Sequence, residues 1–215
     1  MLKNIVLDIG GVLVDYHTVD YYTARGYSQD MAQRLAQATM FCPYWEQFDI
    51  GLMPESWIRE KMKQAAPELA QDIDRNLICQ RGIVTRREES KDWIEHFRDE
   101  EFRVLVLSNF SQNALLNCPE AMDFLGQNLG GSGVPGTYGV VGEGIISSRD
   151  HVAKPYPEIY ALLLSRYDLR PEETVFIDDT QMNLDGAKRF GMHTILFSSR
   201  AQAQEEVDGL DIRLG

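Results

Sequence analysis

Polar side chains stand at the ends of four short apolar runs of this sequence. Asp8 and Gly10 follow the first run, Ser108 and Asn109 follow the second, Lys154 comes in a loop after the third, and Asp178, Asp179 and Asn183 follow the fourth. Carboxylates are the ligands that a hard divalent cation prefers, whereas hydroxyl, amide and ammonium groups bind phosphoryl oxygens. Together these residue types suit a magnesium ion that faces a phosphoryl group.

Each of these residues also has an ordinary structural interpretation. An Asp after a strand commonly caps a turn or a helix, and a Lys-Pro pair commonly begins a helix. The coincidence favours chemistry, because Asp8, Asp178 and Asp179 gathered at buried strand ends would repel one another and lose their hydration. A bound Mg²⁺ would remove that conflict.

Runs rich in valine, isoleucine and leucine predict the strands that position these residues. The strands are predicted at 3–7, 103–107, 174–177 and 193–197, each buried on both faces, with a weaker one at 144–147. Helical patterns lie between them, at 157–167 and at 183–190. This alternation predicts an α/β fold, a Rossmann-like doubly wound and mostly parallel sheet, in which ligands bind outside the carboxyl ends of the strands.

The stretch 16–99 interrupts the alternation. It carries helical patterns at 19–40, 54–63 and 86–98 and no convincing strand, so we interpret it as a helical insertion and return helix. Residues 1–15 and 100–215 then form the sheet domain. The aromatic cluster of the insertion is interpreted mainly as its own small core; it comprises Phe41, Tyr44, Trp45 and Phe48. The glycine-rich stretch 126–144 is interpreted as an extended loop.

Composition excludes several classes of function. The chain has 215 residues and a net charge of −12, which disfavours nucleic-acid and membrane-surface partners. No apolar run approaches the ~20 residues of a membrane span, and the N-terminal stretch lacks the pattern of a signal peptide, so we expect a cytoplasmic protein. The widely spaced Cys42, Cys79 and Cys118 indicate neither a disulfide framework nor a zinc site. The sequence predicts no oligomeric state.

The polar stretches resemble, in order, the four motifs of a known superfamily. The motifs are VLDIGGVLVD at 6–15, VLSN at 106–109, AKPYPEIY at 153–160 and VFIDDTQMN at 175–183. They are similar to those of the haloacid dehalogenase-like (HAD) hydrolases, many of which insert a helical cap between the first motif and the second. The residues in and around these motifs are most similar to those of the branch that includes α-D-glucose-1-phosphatase-like proteins and the N-terminal phosphatase domain of epoxide hydrolases.

This resemblance implies a hydrolase, most simply a Mg²⁺-dependent phosphatase acting on a small phosphorylated metabolite, and it implies a role for each residue. By this resemblance, Asp8 is the nucleophile that forms an aspartyl-phosphate, and Asp8, the carbonyl of Gly10 and Asp179 hold Mg²⁺ with Asp178 nearby. Ser108 and the amide of Asn109 bind phosphoryl oxygens. Lys154 balances the negative charge and orients Asp8, and Asn183 holds Lys154 or the ligands of the metal in place. We therefore expect Asp8, Ser108 and Lys154 to be the catalytic residues.

Gly10 departs from the pattern of the superfamily. Most of its phosphatases carry a second Asp at this position, which protonates the leaving oxygen and then activates water. The loss of such an acid typically costs ~10² to 10⁴ in rate, so we expect acyl and aryl phosphates to be better substrates than alkyl or sugar phosphates. Tyr16 and His17, just beyond the first motif, are candidates to replace the missing acid, but they are interpreted as hinge and packing residues at the boundary of the cap.

Two alternatives stay open because of Gly10. Haloacid dehalogenases use the same aspartate without a metal, and Arg25 or Arg34 of the insertion would then be candidates for a halide cradle. The paired carboxylates Asp178 and Asp179 favour a cation and count against this alternative. The other alternative is a binding protein that retains the Mg²⁺ and phosphate site without turnover.

Overall fold

The chain is described by a computed structural model, which covers residues 1–76, 82–126, 129 and 141–214. In chain order the strands are β1 (Asn4–Leu7), β2 (Val14–Tyr16), β3 (Val84–Arg86), β4 (Arg103–Ser108), β5 (Gly144–Ile146), β6 (Thr174–Asp178) and β7 (His193–Leu196). The α-helices are α1 (Thr18–Thr23), α2 (Gln29–Ala38), α3 (Trp45–Asp49), α4 (Glu55–Ala65), α5 (Ala70–Asn76), α6 (Ser90–Asp99), α7 (Gln112–Asn117), α8 (Ser147–Asp150), α9 (Pro157–Tyr167), α10 (Gln181–Lys188) and α11 (Arg200–Leu214). Short 3₁₀ turns lie at Pro67–Leu69 and Pro171–Glu173.

Five parallel strands form the central sheet in the order β5-β4-β1-β6-β7. The sheet grows outward from β1 on one side through β4 and β5, and on the other through β6 and β7. This reversal beside β1 opens a crevice at the carboxyl ends of the strands. The predicted α/β, Rossmann-like parallel fold is therefore confirmed.

Helices cover both faces of this sheet. On one face, Ile159 and Leu163 of α9 and Leu184 of α10 pack against β1, β4 and β6. On the other, α6 contributes Trp93 and Phe97. The strand β7 departs from expectation, because its edge position leaves Leu196 47% exposed and the prediction that it is buried on both faces is wrong.

The insertion begins and ends on a small antiparallel sheet. Strands β2 and β3 pair with Val14 opposite Arg86, so the expectation of no strand in this stretch is wrong. Neither strand exceeds three residues, which is too short to show a period-2 pattern. The helix predicted at 19–40 is two helices, because Gly26 adopts φ +90° and Ser28 caps α2 by accepting a hydrogen bond from the amide of Met31.

The helices of the insertion share a continuous hydrophobic cluster with one face of the sheet. Tyr22, Leu35 and Met62 are at most 2% exposed and belong to the same cluster as β1. Three of the clustered aromatic residues pack against it, namely Tyr44, Trp45 and Phe48. Phe41 is the exception, with 59% exposure.

Two of the cysteines lie within the described residues. Cys42 is a half-buried free thiol and Cys118 is buried, whereas Cys79 and most of the glycine-rich stretch lie outside the described residues. Within the described part of the chain, no helix combines the length and the apolar composition that crossing a bilayer requires.

Candidate active site

A pocket of about 630 Å³ lies at the carboxyl ends of β1, β4 and β6. Most of its walls come from the loops that follow these strands. The residues that line it are Asp8, Gly10, Gly11, Tyr16, Glu46, Asn109, Lys154, Pro155, Tyr156, Asp179, Thr180, Met182 and Asn183. The fold thus gathers the polar residues predicted from the separate strand ends into one place.

Asp8 begins a tight turn that returns the chain to β2. The amide of Leu13 donates to the carbonyl of Ile9 over 2.8 Å, which closes the turn. Gly11 adopts φ +72°, and a Cβ atom there would overlap the carboxylate of Asp179. Glycine is therefore required twice at this position, for its backbone conformation and for the close approach of Asp179.

Lys154 forms a buried ion pair with two carboxylates. Its Nζ lies 2.8 Å from Oδ1 of Asp8 and 2.6 Å from Oδ2 of Asp178, and its side chain is 2% exposed. Burial alone lowers the pKa of Lys154, but the charges of Asp8 and Asp178 outweigh that effect and raise it. The ammonium group therefore stays charged and holds Asp8 in a fixed orientation.

The same burial changes the protonation of Asp8. Loss of hydration raises the pKa of Asp8 to about 7, although the charge of Lys154 acts in the opposite direction. The neighbouring charge of Asp178 contributes to the increase. The single positive charge of Lys154 does not offset the burial of Asp8 and the charge of Asp178. A divalent cation beside Asp8 would therefore favour its ionised form.

Asp178 is fixed from three sides. Besides Lys154, the amide of Thr180 donates to its Oδ1 over 2.7 Å, and Nδ2 of Asn183 lies 3.0 and 3.1 Å from its two oxygens. Asn183 reaches this carboxylate from the first turn of α10. Its contact with Lys154 is thus indirect and runs through Asp178.

Asn109 and Ser108 have different surroundings at the end of β4. The side chain of Asn109 makes two hydrogen bonds with the backbone of Lys154, over 2.9 Å to its carbonyl and 2.8 Å from its amide. Ser108 is 1% exposed, and its hydroxyl has no hydrogen-bond partner of full geometry among the described residues. It nevertheless lies close enough to Asp8 to oppose the increase in the pKa of that carboxyl.

Three carboxylates can meet around one ion. Asp8, Asp178 and Asp179 each offer an oxygen, and these oxygens all lie within 4.8 Å of one another. Burial and the charge of Asp178 raise the pKa of Asp179. A set of hard oxygen ligands under mutual repulsion fits Mg²⁺. The hydroxyl of Ser108, beside Asp8, has no partner of full geometry among the described residues and is a donor available to an anion next to the ion.

The insertion contributes Tyr16 and Glu46 to the pocket; sequence reasoning considered Tyr16 only as an alternative acid and did not consider Glu46. Tyr16 of β2 lies over Gly10, and a Cβ atom on Gly10 would come within 2.9 Å of its hydroxyl oxygen. Burial, followed by the charges of Asp49, Asp8 and Asp179, raises the pKa of this phenol well above its ordinary value. The signal in the sequence is weak, because only the tight turn after Asp8 brings residue 16 back to residue 10.

Glu46 reaches the pocket from α3. The end of α3 is held at the edge of the sheet, where the hydroxyl of Ser147 donates to the carbonyl of Asp49 over 2.5 Å. A hydrogen bond to Glu46 raises the pKa of Tyr156. Lys154 is the one cationic side chain among the described residues that line this pocket.

The other basic and imidazole candidates of the insertion lie elsewhere. Arg25 stacks on the ring of Tyr21 at 3.4 Å, and Arg34 pairs with Glu68 at 3.2 Å. Nε2 of His17 lies 2.8 Å from the hydroxyl of Thr85 in β3. These three side chains do not line the pocket.

A family model for haloacid dehalogenase-like hydrolases matches residues 2–191. The chain belongs to this family of hydrolases. Among curated proteins, it is 44% identical over 64 residues to bifunctional epoxide hydrolase 2 of Mus musculus and 38% identical over 64 residues to acyl-CoA dehydrogenase family member 10 of the same species. These matches cover 30% of the chain but only 12% and 6% of the two relatives. The resemblance inferred from the motifs is confirmed.

Solved structures of this family share the fold. A HAD family enzyme from Bacteroides thetaiotaomicron, solved as a complex with magnesium and inorganic phosphate, has a TM-score of 0.64 at 21% identity, covering 92% of this chain and 95% of that one. An L-2-haloacid dehalogenase from Xanthobacter autotrophicus with chloropropionic acid covalently bound has a TM-score of 0.58 at 21% identity, covering 97% and 84%. At this identity the likeness concerns the fold alone.

Proposed function

We propose that this hydrolase is a Mg²⁺-dependent phosphatase that acts on a small phosphorylated metabolite through an aspartyl-phosphate at Asp8. The observation that carries the proposal is the buried arrangement around Lys154, which holds Asp8 at 2.8 Å beside two further carboxylates. Phosphoryl transfer needs an aligned nucleophile and electrostatic stabilisation of the phosphoryl oxygens. The residues of this pocket supply both.

The metal would be held by Asp8, Asp179 and the backbone carbonyl of Gly10, with Asp178 nearby. When bound, Mg²⁺ would neutralise charge on the phosphoryl oxygens and favour the ionised form of Asp8. The fit rests on the three carboxylate oxygens within 4.8 Å of one another. Hydrogen bonds from Thr180, Asn183 and Lys154 already occupy Asp178, which suits it to positioning Lys154.

The remaining residues would bind and orient the phosphoryl group. The hydroxyl of Ser108, free of a full hydrogen bond among the described residues, would donate to one phosphoryl oxygen. The backbone amide of Asn109 would donate to another, while its side chain keeps the Lys154 loop in place. Lys154 would balance the added negative charge. Asp8 then attacks phosphorus, and the aspartyl-phosphate is hydrolysed by water in a second step.

The insertion would act as a cap over this site. We assign residues 16–99 to the cap and its return helix, and 1–15 with 100–215 to the catalytic core. Tyr16 and Glu46, which line the pocket from the insertion, support this division. A cap at this position restricts substrates to small molecules and limits the access of water.

The dehalogenase alternative receives less support from the site. Its candidate halide ligands Arg25 and Arg34 contact Tyr21 and Glu68 instead of lining the pocket. Chloride release from 2-chloropropionate in the presence of EDTA, lost in Asp8→Asn, would favour it over the phosphatase. Stabilisation by Mg²⁺ and inorganic phosphate without turnover of any phosphorylated compound would indicate the binding protein instead.

A panel of phosphorylated compounds, assayed with Mg²⁺ and with EDTA, tests the proposal. We expect phosphate release that needs Mg²⁺, and a larger kcat/KM for acetyl phosphate and p-nitrophenyl phosphate than for hexose and glycerol phosphates, because Gly10 provides no carboxylic acid. Asp8→Asn serves as the blank. Activity that persists in that variant would remove Asp8 from the mechanism.

A further inference from the structure

The space above Gly10 is filled by a phenol. A Cβ atom placed on Gly10 would lie 2.9 Å from Oη of Tyr16 and 3.0 Å from its Cε2, closer than side-chain atoms normally approach. The ring of Tyr16 therefore occupies the volume into which any side chain at position 10 would point. Glycine at this position and tyrosine at position 16 form a matched pair.

The hydroxyl of Tyr16 lies close to the backbone of Gly10, two residues from Asp8. Tyr16 lines the same pocket as Asp8, Lys154 and Asn109, and it keeps 41% of its surface exposed. Strand β2 fixes its direction, because pairing with Val84 of β3 anchors its backbone at the base of the insertion. A ligand bound in this pocket beside Asp8 shares it with the phenol of Tyr16.

We propose that the hydroxyl of Tyr16 donates a hydrogen bond to the leaving-group oxygen while the phosphoryl group moves to Asp8. This inference rests on the phosphatase function proposed above. It gives the insertion a direct part in the reaction, at the place where Gly10 offers no side chain.

The step balances without a further reagent. A carboxylate oxygen of Asp8 forms a bond to phosphorus, and the bond between phosphorus and the leaving oxygen breaks. The electron pair of the broken bond stays on the leaving oxygen, which accepts the hydrogen bond from Tyr16 and takes up any proton from solvent. The proton of Tyr16 remains on its oxygen throughout.

This arrangement defines a substrate class. A phenol donates a hydrogen bond but transfers its proton less readily than a carboxylic acid does, since its ordinary pKa is about 10. The site therefore suits phosphates whose leaving group is stable as an anion, such as aryl and acyl phosphates. Alkyl phosphates should react more slowly, because their leaving oxygen needs a full proton and a phenol transfers one poorly.

Tyr16→Phe tests the inference, because it removes the hydroxyl and keeps the ring above Gly10. We expect kcat/KM to fall about 10- to 100-fold for the aryl phosphate with the poorest leaving group, in line with a hydrogen bond to a charged acceptor. The loss should shrink as the leaving group improves, so that the dependence of kcat/KM on leaving-group pKa becomes steeper. Acetyl phosphate and a series of substituted phenyl phosphates provide the range.

Tyr27→Phe is the matched control. It removes a hydroxyl that donates to Asp72 over 2.7 Å within the insertion, and Tyr27 does not line the pocket. Its leaving-group dependence should equal that of the wild type. A uniform loss for every substrate in Tyr16→Phe, or no loss, would overturn the inference. The phosphatase proposal would survive either result as long as the wild type needs Asp8, and it fails separately if the wild type releases no phosphate.

Gly10→Ala tests the matched pair from the other side. Its Cβ should displace the hydroxyl of Tyr16 and cause most of the loss seen in Tyr16→Phe, again greatest for poor leaving groups. Both changes remove the same contact. Adding Gly10→Ala to Tyr16→Phe should therefore change kcat/KM for each substrate by no more than about 2-fold, and the dependence of kcat/KM on leaving-group pKa should stay nearly the same. Full, independent effects of the two substitutions on that slope would contradict the geometry. Melting temperatures of all variants separate these effects from unfolding.

Discussion

The strand ends hold a buried group of residues around Lys154, in which Asp179 is the one exposed carboxylate of the three, whereas the insertion offers the same pocket single, partly exposed side chains. Lys154 and Asp178 are at most 3% exposed and contact each other directly. Tyr16 is 41% exposed, and Glu46 is exposed as well. A rigid, desolvated site serves a transition state shared by many substrates, whereas exposed groups at its mouth act on the part of the substrate that varies.

The strongest test of this comparison is to remove the proposed nucleophile. Asp8→Asn keeps the shape of the side chain and takes away its charge, so we expect phosphate release to fall by at least about 10⁴-fold, as when other covalent nucleophiles are replaced. Assays with p-nitrophenyl phosphate and Mg²⁺ measure the loss. Asp15→Asn is the control, since Asp15 pairs with Arg87 and does not line the pocket. Comparable activity in the two variants would refute the role of Asp8.

Lys154→Gln should affect both activity and stability. Without the ammonium group, Asp8 and Asp178 face each other unpaired in a buried site, which typically costs about 3–5 kcal/mol in the free energy of unfolding. We expect kcat/KM to fall by about 10²-fold or more as the alignment of Asp8 is lost. Urea unfolding and steady-state kinetics measure the two effects.

The control for Lys154→Gln is Lys188→Gln. Lys188 is 56% exposed and lies 3.9 Å from Asp185 on α10. Its removal should change stability by less than about 0.5 kcal/mol. If Lys154→Gln were as stable as Lys188→Gln, the buried ion pair would not organise the site, and the contrast between the two regions would weaken.

These two regions also differ in how far the sequence predicts them. The strands around the site are apolar runs that end in polar residues, so their periodicity and order place Asp8, Ser108 and Asp178 together. Tyr16 and Glu46 carry no such signal. Tyr16 depends on a turn that only Gly11, at φ +72°, permits, and Glu46 lies on a five-residue helix held by contacts more than 90 residues away in sequence. The helix and strand propensities of individual residues carry no information about contacts between residues this far apart in sequence.

A smaller effect should appear at Asp49, behind Tyr16. Burial raises the pKa of Asp49 to about 8, far above its ordinary value of 3.8. Since the folded pKa is the higher one, the stability it contributes is present below pH 4 and is lost as the pH rises towards 8. Asn cannot ionise, so Asp49→Asn should gain stability relative to the wild type between pH 5.5 and 8.5, on the order of 1 kcal/mol or more.

Urea unfolding at both pH values measures the gain in Asp49→Asn. Asp30→Asn, at an exposed position in the first turn of α2, controls for the loss of any carboxylate. Its difference from the wild type should not depend on pH over this range. A pH-independent difference in Asp49→Asn as well would show that Asp49 is ionised throughout, and Tyr16 would then face a charged neighbour at neutral pH.

The smallest predicted effect is on KM and comes from Glu46, which belongs to the insertion alone. Glu46 is exposed at the mouth of a pocket that holds one cationic side chain among its described lining residues, so its charge should repel the proposed phosphorylated substrate. Glu46→Gln should lower KM by about 2- to 5-fold at low ionic strength, leave kcat unchanged, and lose its advantage in high salt because exposed charges are screened. Glu60→Gln, on an exposed face of α4, is the matched control. A change in kcat would place Glu46 in the reaction itself, whereas a salt-independent KM would mean that Glu46 contacts the substrate instead of acting through its field.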